Sequence, residues 1–455
     1  IFALKAKVVV TRMAQVTLVL DPLIVGYSGV LLLFLFLAPG IPVAVAMGVV
    51  GIVVMYFGVN EFFLTVQLRS LPFATVSSYG LSVPPFFVLL GVIAEASGIT
   101  TDVFKAADIW LRRLRGGLYQ ATIVGSAVFS AISGSTLVNA LVFTRIAFPK
   151  MMDLGYSKSL SLGAIAGAGS FAAMIPPSLT MVLYAILTEQ SVGQLLMAGL
   201  IPGIITAAVY LTGINVMVRI NPKLAPMAAK PAPWKEKRRA LGKIWPIIRL
   251  IILGLGGIYF GILPPSAAGA AGAFGALVFG AYRMRGLRSW LPTALQDAAL
   301  VSSIMFMILV GGLMLSRMLV ATGVIDHMVD GITSVADTPL KFMIMVSILY
   351  LILGCFLDTT SMMVVTLPIL FTTVVALDIN PIWFGIVLVK LIEISVITPP
   401  VGFNIFAIMS AVKGQATFAD VYKGVLPFIL LDLIVLAFLI MFPQLATWLP
   451  ETMIR

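Results

Sequence analysis

The sequence predicts an all-α polytopic membrane protein, built as an inverted repeat with two re-entrant helical hairpins and two broken helices. Three observations carry this. The chain of 455 residues is 60% apolar and only 10% charged, with a mean hydropathy of +1.11, whereas soluble domains carry about 25% charged residues. Two polar, helix-breaking motifs each occur twice in the same order: Ala131-Ile132-Ser133-Gly134-Ser135-Thr136 has a counterpart 223 positions later at Gly354-Cys355-Phe356-Leu357-Asp358-Thr359, and the same offset joins Ile175-Pro176-Pro177-Ser178 to Thr398-Pro399-Pro400-Val401. The charged residues, finally, fall in short segments between apolar runs.

Apolar segments predict spans at 23–38, 41–58, 81–97, 194–218, 247–262, 266–282, 298–320 and 425–447, several at the short end of the roughly 17–25 residues that cross a bilayer. The runs are continuous, which excludes a barrel of alternating strands. The 40 glycines and 26 prolines suit membrane helices, which tolerate both. Residues 60–78, with Asn60, Glu61, Gln67, Arg69 and Pro72, are too polar to span and read as an interfacial or arm helix. Residues 118–149 and 341–377 are each too long for one helix yet have no charged loop at the middle, which predicts re-entrant hairpins turning at Ser133-Gly134-Ser135 and at Asp358-Thr359-Thr360. Residues 159–187 and 382–413 break at tandem prolines, which remove a backbone donor and push the preceding residue to extended geometry.

Charge sets the topology. Lys105, Arg112, Arg113 and Arg115 precede the first hairpin and Lys150 and Lys158 follow it, so it opens on the positive, cytoplasmic side. The basic linker, with Arg219, Lys223, Lys230, Lys235, Lys237, Arg238, Arg239 and Lys243, lies on the same side, as do Arg283, Arg285 and Arg288 beyond the turn at Pro264-Pro265. Asp326, Asp330 and Asp337 precede the second hairpin and Asp378 follows it, so it opens outward. Ala96-Ser97-Gly98-Ile99 and Ala321-Thr322-Gly323-Val324 precede the two hairpins in parallel. Counting back places the N-terminus outside, whereas Lys5, Lys7 and Arg12 favour inside. No clean cleavage site follows those residues.

The net charge of +11 is loop charge of this kind and does not point to nucleic acid. A single cysteine, Cys355, excludes an internal disulfide, and a single histidine, His327, leaves no histidine metal cluster. No nucleophile–base constellation and no phosphate-binding loop with its lysine is present, which disfavours an enzyme.

Irregular backbone survives at membrane depth only where protein or a watery cavity satisfies it, and paired broken segments in two halves mark a transporter's binding site. At the first tip Ser133, Ser135, Thr136 and Asn139 supply oxygens; at the second Asp358, Thr359, Thr360 and Ser361 do. Carbonyls and hydroxyls suit Na⁺, and exposed helix N-termini suit an anion. The competing reading is close helix packing by small residues. Asp358, an acid at membrane depth, either ligates a cation, takes a proton or caps a helix start. Asn404 is a similar candidate. Arg145 either meets a substrate carboxylate or snorkels to the surface. Lys390 and Glu393, three apart on one helical face, either pair with each other or belong to a coupling pathway.

These motifs resemble the large membrane subunit, the M subunit, of tripartite ATP-independent periplasmic (TRAP) transporters. The carrying segments are Gly98-Ile99-Thr100, Phe129-Ser130-Ala131-Ile132-Ser133-Gly134-Ser135, Met152-Asp153-Leu154-Gly155-Tyr156, Ile175-Pro176-Pro177-Ser178, Phe356-Leu357-Asp358-Thr359-Thr360 and Thr398-Pro399-Pro400-Val401-Gly402-Phe403-Asn404, spread over about 24–447. The resemblance implies an elevator-type, Na⁺-driven carrier of an organic acid in the bacterial inner membrane. It implies delivery by a periplasmic substrate-binding protein and a separate small four-helix Q subunit. Sodium sites are implied between each tip and the facing break: Ser133, Ser135, Thr136, Gly169, Ser170 and Pro176 for the first, Asp358, Thr359, Thr398 and Gly402 for the second. The substrate would meet Ser133, Gly134, Ser135, Asn139, Pro177, Ser178, Thr360, Pro400 and Asn404. The chain departs from the family at Leu137-Val138-Asn139, where small residues are common.

The chain then divides into an N-terminal leader of open origin (1–22), scaffold spans and arm helix (23–80), a first transport region (81–193), a span (194–218), the basic linker (219–245), further scaffold spans and a loop (246–297), a second transport region (298–424) and a C-terminal span and tail (425–455). The alternative is a self-sufficient dicarboxylate or oxyanion carrier of the same architecture.

Overall fold

The computed structural model describes residues 21–226, 230–284, 287–354, 357–400 and 402–453. Lys5, Lys7 and Arg12 of the leader lie outside them, as do Arg285, Cys355, Phe356 and Val401. Among the described residues the regular elements are all helices. Five helices are long and apolar enough to cross a membrane: Tyr79–Ala96, Val192–Ile220, Trp290–Ala321, Thr359–Ala376 and Phe418–Met441.

The chain divides into two compact units. The first contains the residues up to Ser78 together with Ser303–Asp337 and Met363–Thr373. It includes α1 (Pro22–Leu37), α2 (Val43–Gly58) and α3 (Glu61–Val76). Here α1 packs on α2 and α2 on α3. The arm helix forms as the polar segment predicts: Asn60 caps it, accepting from Phe63 N at 2.6 Å. Phe62 and Phe73 are left on its exposed face.

The second unit comprises Tyr79–Ser302, Thr338–Met362 and the residues from Val374 on. It begins with α4 (Val83–Ala96), α5 (Ile99–Leu111), α6 (Gly117–Ser133), α7 (Thr136–Asp153) and α8 (Lys158–Ser170). A short 3₁₀ turn, Phe171–Ala173, leads from α8 into the break before α9 (Leu179–Leu187), and α10 is Val192–Ile220. The central elements continue with α11 (Trp234–Tyr259), α12 (Pro265–Arg283) and α13 (Leu287–Ala321), the last shared with the first unit. Then follow α14 (Val324–Val335, in the first unit), α15 (Pro339–Leu353), α16 (Thr359–Ala376), α17 (Pro381–Ser395), α18 (Phe403–Val412), α19 (Phe418–Met441) and α20 (Gln444–Glu451).

The repeat is visible in local conformation. Helices α6, α7 and α8 begin at Gly117, Thr136 and Lys158; α15, α16 and α17 begin at Pro339, Thr359 and Pro381, the same offset to within one residue. Gly98 and Gly323 both sit at φ +73° between helices, a left-handed turn that glycine adopts without steric cost. Pro176-Pro177 and Pro399-Pro400 are both cis.

Three boundaries differ from the sequence reading. The basic linker is not irregular throughout, because α11 starts at Trp234 and runs on into the span. Its charges are amphipathically spaced: Ala240, Ile244 and Ile247 are buried while Arg238, Arg239 and Lys243 face out. Arg112 pairs with Glu236 at 2.7 Å across to α5. The loop expected before 298 is likewise helical, since α13 starts at Leu287. The last span starts at Phe418, where Thr417 and Asp420 form a reciprocal capping box, and α19 stops at Met441 before Pro443.

One close helix crossing shapes the core of the second unit. A Cβ on Gly163 would lie 1.9 Å from Gly424 O, and a Cβ on Gly424 1.9 Å from Ser159 O, so α8 and α19 cross backbone to backbone. Only small residues permit that approach between membrane helices.

Candidate functional site

The first tip is the two-residue joint between α6 and α7, which pack on each other. Gly134 turns the chain at φ +62°. Ser135 then caps α7, its hydroxyl accepting from Val138 N at 3.4 Å. The tip meets the first break directly. Leu179 N donates to Gly134 O at 3.3 Å, and a Cβ on Gly134 would lie 2.8 Å from Pro177 O. On the other side of the tip, a Cβ on Gly91 would lie 2.9 Å from Ser133 O. Ser133 is 5% exposed, and its hydroxyl has no hydrogen-bond partner among the described residues. A buried polar atom without a partner is rare and calls for an explanation, a bound ion among them.

Within the first break, Ser178 caps α9, accepting from Met181 N at 3.3 Å while donating to Ala173 O at 2.5 Å. Gly169 packs against Ala140 of α7, where a Cβ would lie 2.8 Å from the Ala140 Cβ. Ser170 donates from its hydroxyl to Gly167 O at 2.7 Å and lies 3.1 Å from Glu393 Oε1. Thr136, 9% exposed, starts α7.

Asn139 takes a different part from the one its sequence position suggests. Its Nδ2 donates to Ser130 Oγ at 2.7 Å and its Oδ1 accepts from Ser126 Oγ at 3.0 Å. Ser126 Oγ is also 2.6 Å from Ala168 O. The amide ties α7 to α6, and Ser126 ties α6 to α8.

At the second tip Asp358 caps α16. One carboxylate oxygen accepts from Thr360 N at 3.0 Å and Ser361 N at 3.4 Å, and the other accepts from the Ser361 hydroxyl. The capping role and a ligand role are compatible, because a carboxylate oxygen carries more than one lone pair. Asp358, Thr359 and Thr360 are all partly exposed. Where α15 ends, a Cβ on Gly354 would lie 2.0 Å from the Ser395 Cβ, so the end of α15 lies against the end of α17, as the first tip lies against its break.

In the second break Thr398 Oγ1 donates to Ile394 O at 2.7 Å. Gly402 sits at φ +59°, and Ile405 N donates to Gly402 O at 2.8 Å. The Tyr422 hydroxyl donates to Pro400 O. Asn404 opens α18. It is 1% exposed, and neither its Oδ1 nor its Nδ2 has a hydrogen-bond partner among the described residues. Helix α18 packs on α7, so the element carrying Asn404 lies against the second arm of the first tip. The pocket beside that tip, lined by Phe87, Leu90, Ala131, Ile132, Pro177 and Leu250 among others, is apolar and suits a hydrocarbon face, not a charged group.

Arg145 is exposed on α7, the arrangement of a snorkelling side chain. Lys390 and Glu393 do pair, at 3.0 Å, but inside a larger cluster. Lys390 Nζ also donates to Asp432 Oδ1 at 2.6 Å and Thr206 Oγ1 at 3.3 Å, and the Tyr210 hydroxyl donates to Asp432 Oδ2 at 2.6 Å. Sequence reasoning missed Asp432 and Tyr210. An acid inside the apolar run 425–447 was a sufficient signal for Asp432.

A family model described as "Tripartite ATP-independent periplasmic transporter, DctM component" matches residues 30–445. The C4-dicarboxylate TRAP transporter large permease protein DctM of Pseudomonas aeruginosa is 30% identical over 380 residues, covering 83% of this chain and 88% of that protein. The sialic acid TRAP transporter permease protein SiaT of Haemophilus influenzae is 27% identical, covering 94% of this chain and 68% of its own. The ectoine TRAP transporter large permease protein TeaC of Halomonas elongata is 26% identical, covering 91% and 95%. Among solved structures, the Alcanivorax borkumensis YdaH transporter superposes with a TM-score of 0.58 at 13% identity, covering 92% of this chain and 98% of that one, a likeness of fold alone.

Proposed function

Because the chain belongs to the DctM family of tripartite ATP-independent periplasmic transporters, whose members are transport permeases and not enzymes, we propose that it carries out Na⁺-coupled uptake of a carboxylate-bearing organic acid across the bacterial inner membrane. Two cation sites lie at the two tip-and-break pairs. The substrate lies between the tips, and the two repeats, opposite in orientation with re-entrant hairpins, alternate access by an elevator movement. A periplasmic binding protein delivers the substrate and a separate small four-helix subunit braces the scaffold. Relatives named for C4-dicarboxylates, sialic acid and ectoine share a carboxylate, which supports that substrate class.

The observation that carries this reading is two buried groups without a hydrogen-bond partner among the described residues, the Ser133 hydroxyl at the end of α6 and the Asn404 amide in α18, a helix that packs on α7 directly after the first tip. Burying such groups without partners costs roughly 1–3 kcal/mol each, and a bound ion or substrate supplies the missing partners. The oxygens around them suit Na⁺: a hydroxyl, backbone carbonyls at helix ends and, at the second tip, one carboxylate. In the mechanism this implies, the chain's own helix ends bind and orient the ligands.

The test is uptake into proteoliposomes containing the whole complex. Substrate should enter only with an inward Na⁺ gradient and only with the binding protein present. Equal uptake from K⁺ medium with a proton gradient alone overturns sodium coupling. Full uptake by this chain without its partners favours the self-sufficient carrier.

A further inference from the structure

Lys390, Glu393 and Asp432 are each 0% exposed, an expensive arrangement at membrane depth unless the charges are fully paired. Their cluster has a particular relation to the repeat. Ser170 and Glu393, which touch at 3.1 Å, are 223 residues apart. Tyr210 and Asp432, which touch at 2.6 Å, are 222 apart. The first separation equals the repeat offset read from the tip and break motifs, and the second differs from it by one residue. Each contact therefore joins a residue to its repeat mate to within one position, as happens near the axis relating the repeats. Lys390 lies at the centre, donating to α10 through Thr206, to its own helix α17 through Glu393, and to α19 through Asp432.

The position of this cluster along the chain gives it a task. Ser170 is the last residue of α8, directly before the 3₁₀ turn that enters the first break. Glu393 lies in the last turn of α17, two residues before Ser395, against which Gly354 of the second tip packs. The Ser170–Glu393 contact thus links the helical turn before one break to the helical turn before the other. The Lys390–Asp432 pair holds Glu393 in place from behind.

We propose that Glu393 is a positioning residue that couples the two cation sites, so that filling one break orders the other. This rests on the reading of the tip-and-break pairs as cation sites. Glu393 itself touches no cation; it acts through Ser170 and through the end of α17. Coupling of this kind is reciprocal between sites and commonly amounts to a 5- to 150-fold change in affinity.

The charge arithmetic supplies a clean variant. Removing Glu393 leaves Lys390 facing Asp432 as a balanced pair, so Glu393→Met deletes the link to α8 without stranding a buried charge, at similar volume. Glu393→Gln keeps a link: the amide nitrogen donates to Ser170 Oγ while the amide oxygen still accepts from Lys390. The measurement is the Na⁺ concentration dependence of substrate uptake by the reconstituted complex, with membrane level and subunit assembly measured alongside. Wild type and Glu393→Gln are expected to respond more steeply than a hyperbola. Glu393→Met is expected to assemble, to respond hyperbolically, and to need about tenfold more Na⁺ for half-maximal uptake. A Glu393→Met variant as steep as wild type overturns the proposal. So does failure of Glu393→Met alone to assemble, which would make the cluster a folding clamp, and so does a hyperbolic wild type. A wild type indifferent to Na⁺ refutes the sodium reading itself, a result separate from these.

Discussion

Asn404 offers the sharpest separation of a binding role from a packing role, because both predict a gain in stability and only the binding role predicts a loss of affinity. The side chain is 1% exposed and neither amide atom has a hydrogen-bond partner among the described residues. The perturbation is Asn404→Leu, which keeps the branched shape and the number of side-chain heavy atoms. If the amide merely packs, it is an uncompensated buried polar group. Replacing it with an apolar isostere should then stabilise the protein by roughly 1–3 kcal/mol, with transport intact. If the amide contacts a ligand, stability without ligand should still rise, but the ligand loses one or two hydrogen bonds. The same roughly 1–3 kcal/mol then appears as about a five- to hundredfold loss of affinity. The assay is paired: thermal unfolding of the detergent-solubilised complex without substrate and Na⁺, and half-saturation of uptake by each. We expect a higher unfolding temperature together with weaker half-saturation, the signature of a site that gives up stability for binding. A raised unfolding temperature with wild-type half-saturation for both ligands would refute the reasoning and make the orphaned amide a packing defect.

Asp358→Asn should preserve the start of α16, because asparagine caps a helix about as well as aspartate. Removal of the charge should raise the Na⁺ concentration for half-maximal uptake about ten- to hundredfold, the equivalent of losing one charge-assisted contact of roughly 1.5–3 kcal/mol; a normal sodium response in a variant at normal membrane level would reduce Asp358 to a cap. For topology, single cysteines at Lys230 and Asp337 in a Cys355→Ser background should label with an impermeant thiol reagent from opposite faces of the membrane. Labelling from the same face would dismiss the inverted repeat.

What sequence made legible were the features that act through the backbone of a few adjacent residues. Proline pairs stop a helix wherever they stand, and α8 and α17 end just before Pro176-Pro177 and Pro399-Pro400. Gly134 and Ser135 turn and cap by local geometry, and the joint between α6 and α7 falls on them. What depended on side chains meeting across the fold was less legible. Asn139 sits among tip residues in sequence, yet the 3.6-residue period of α7 swings it toward Ser126 and Ser130 of α6. Asp432 stands out as an acid in an apolar run, but Tyr210 does not, and their pairing follows only from the crossing of α10 and α19. The start of α11 was hidden for another reason: counting charges over 219–245 conceals that they occupy one side of a helix.

The distribution of polar satisfaction across the second unit connects fold to transport. At the cluster of Lys390, Glu393 and Asp432, every charge has an opposite charge within 3.0 Å and a further hydrogen bond besides. A fully satisfied network in a low-dielectric interior is rigidifying, because any displacement strands a charge. At Ser133 and Asn404 the reverse holds, and buried groups wait without partners. A carrier needs both. Were the tips as well satisfied as the cluster, an incoming ion would have to break protein contacts of equal worth and would gain nothing by binding. Were the cluster as poorly satisfied as the tips, the helices leading into the two breaks would be free to shift independently, and occupancy of one would carry no information to the other. Under the proposed reading, the unpaired groups supply the free energy for binding, and the paired ones keep α8 and α17 in register so that this free energy acts on both breaks together.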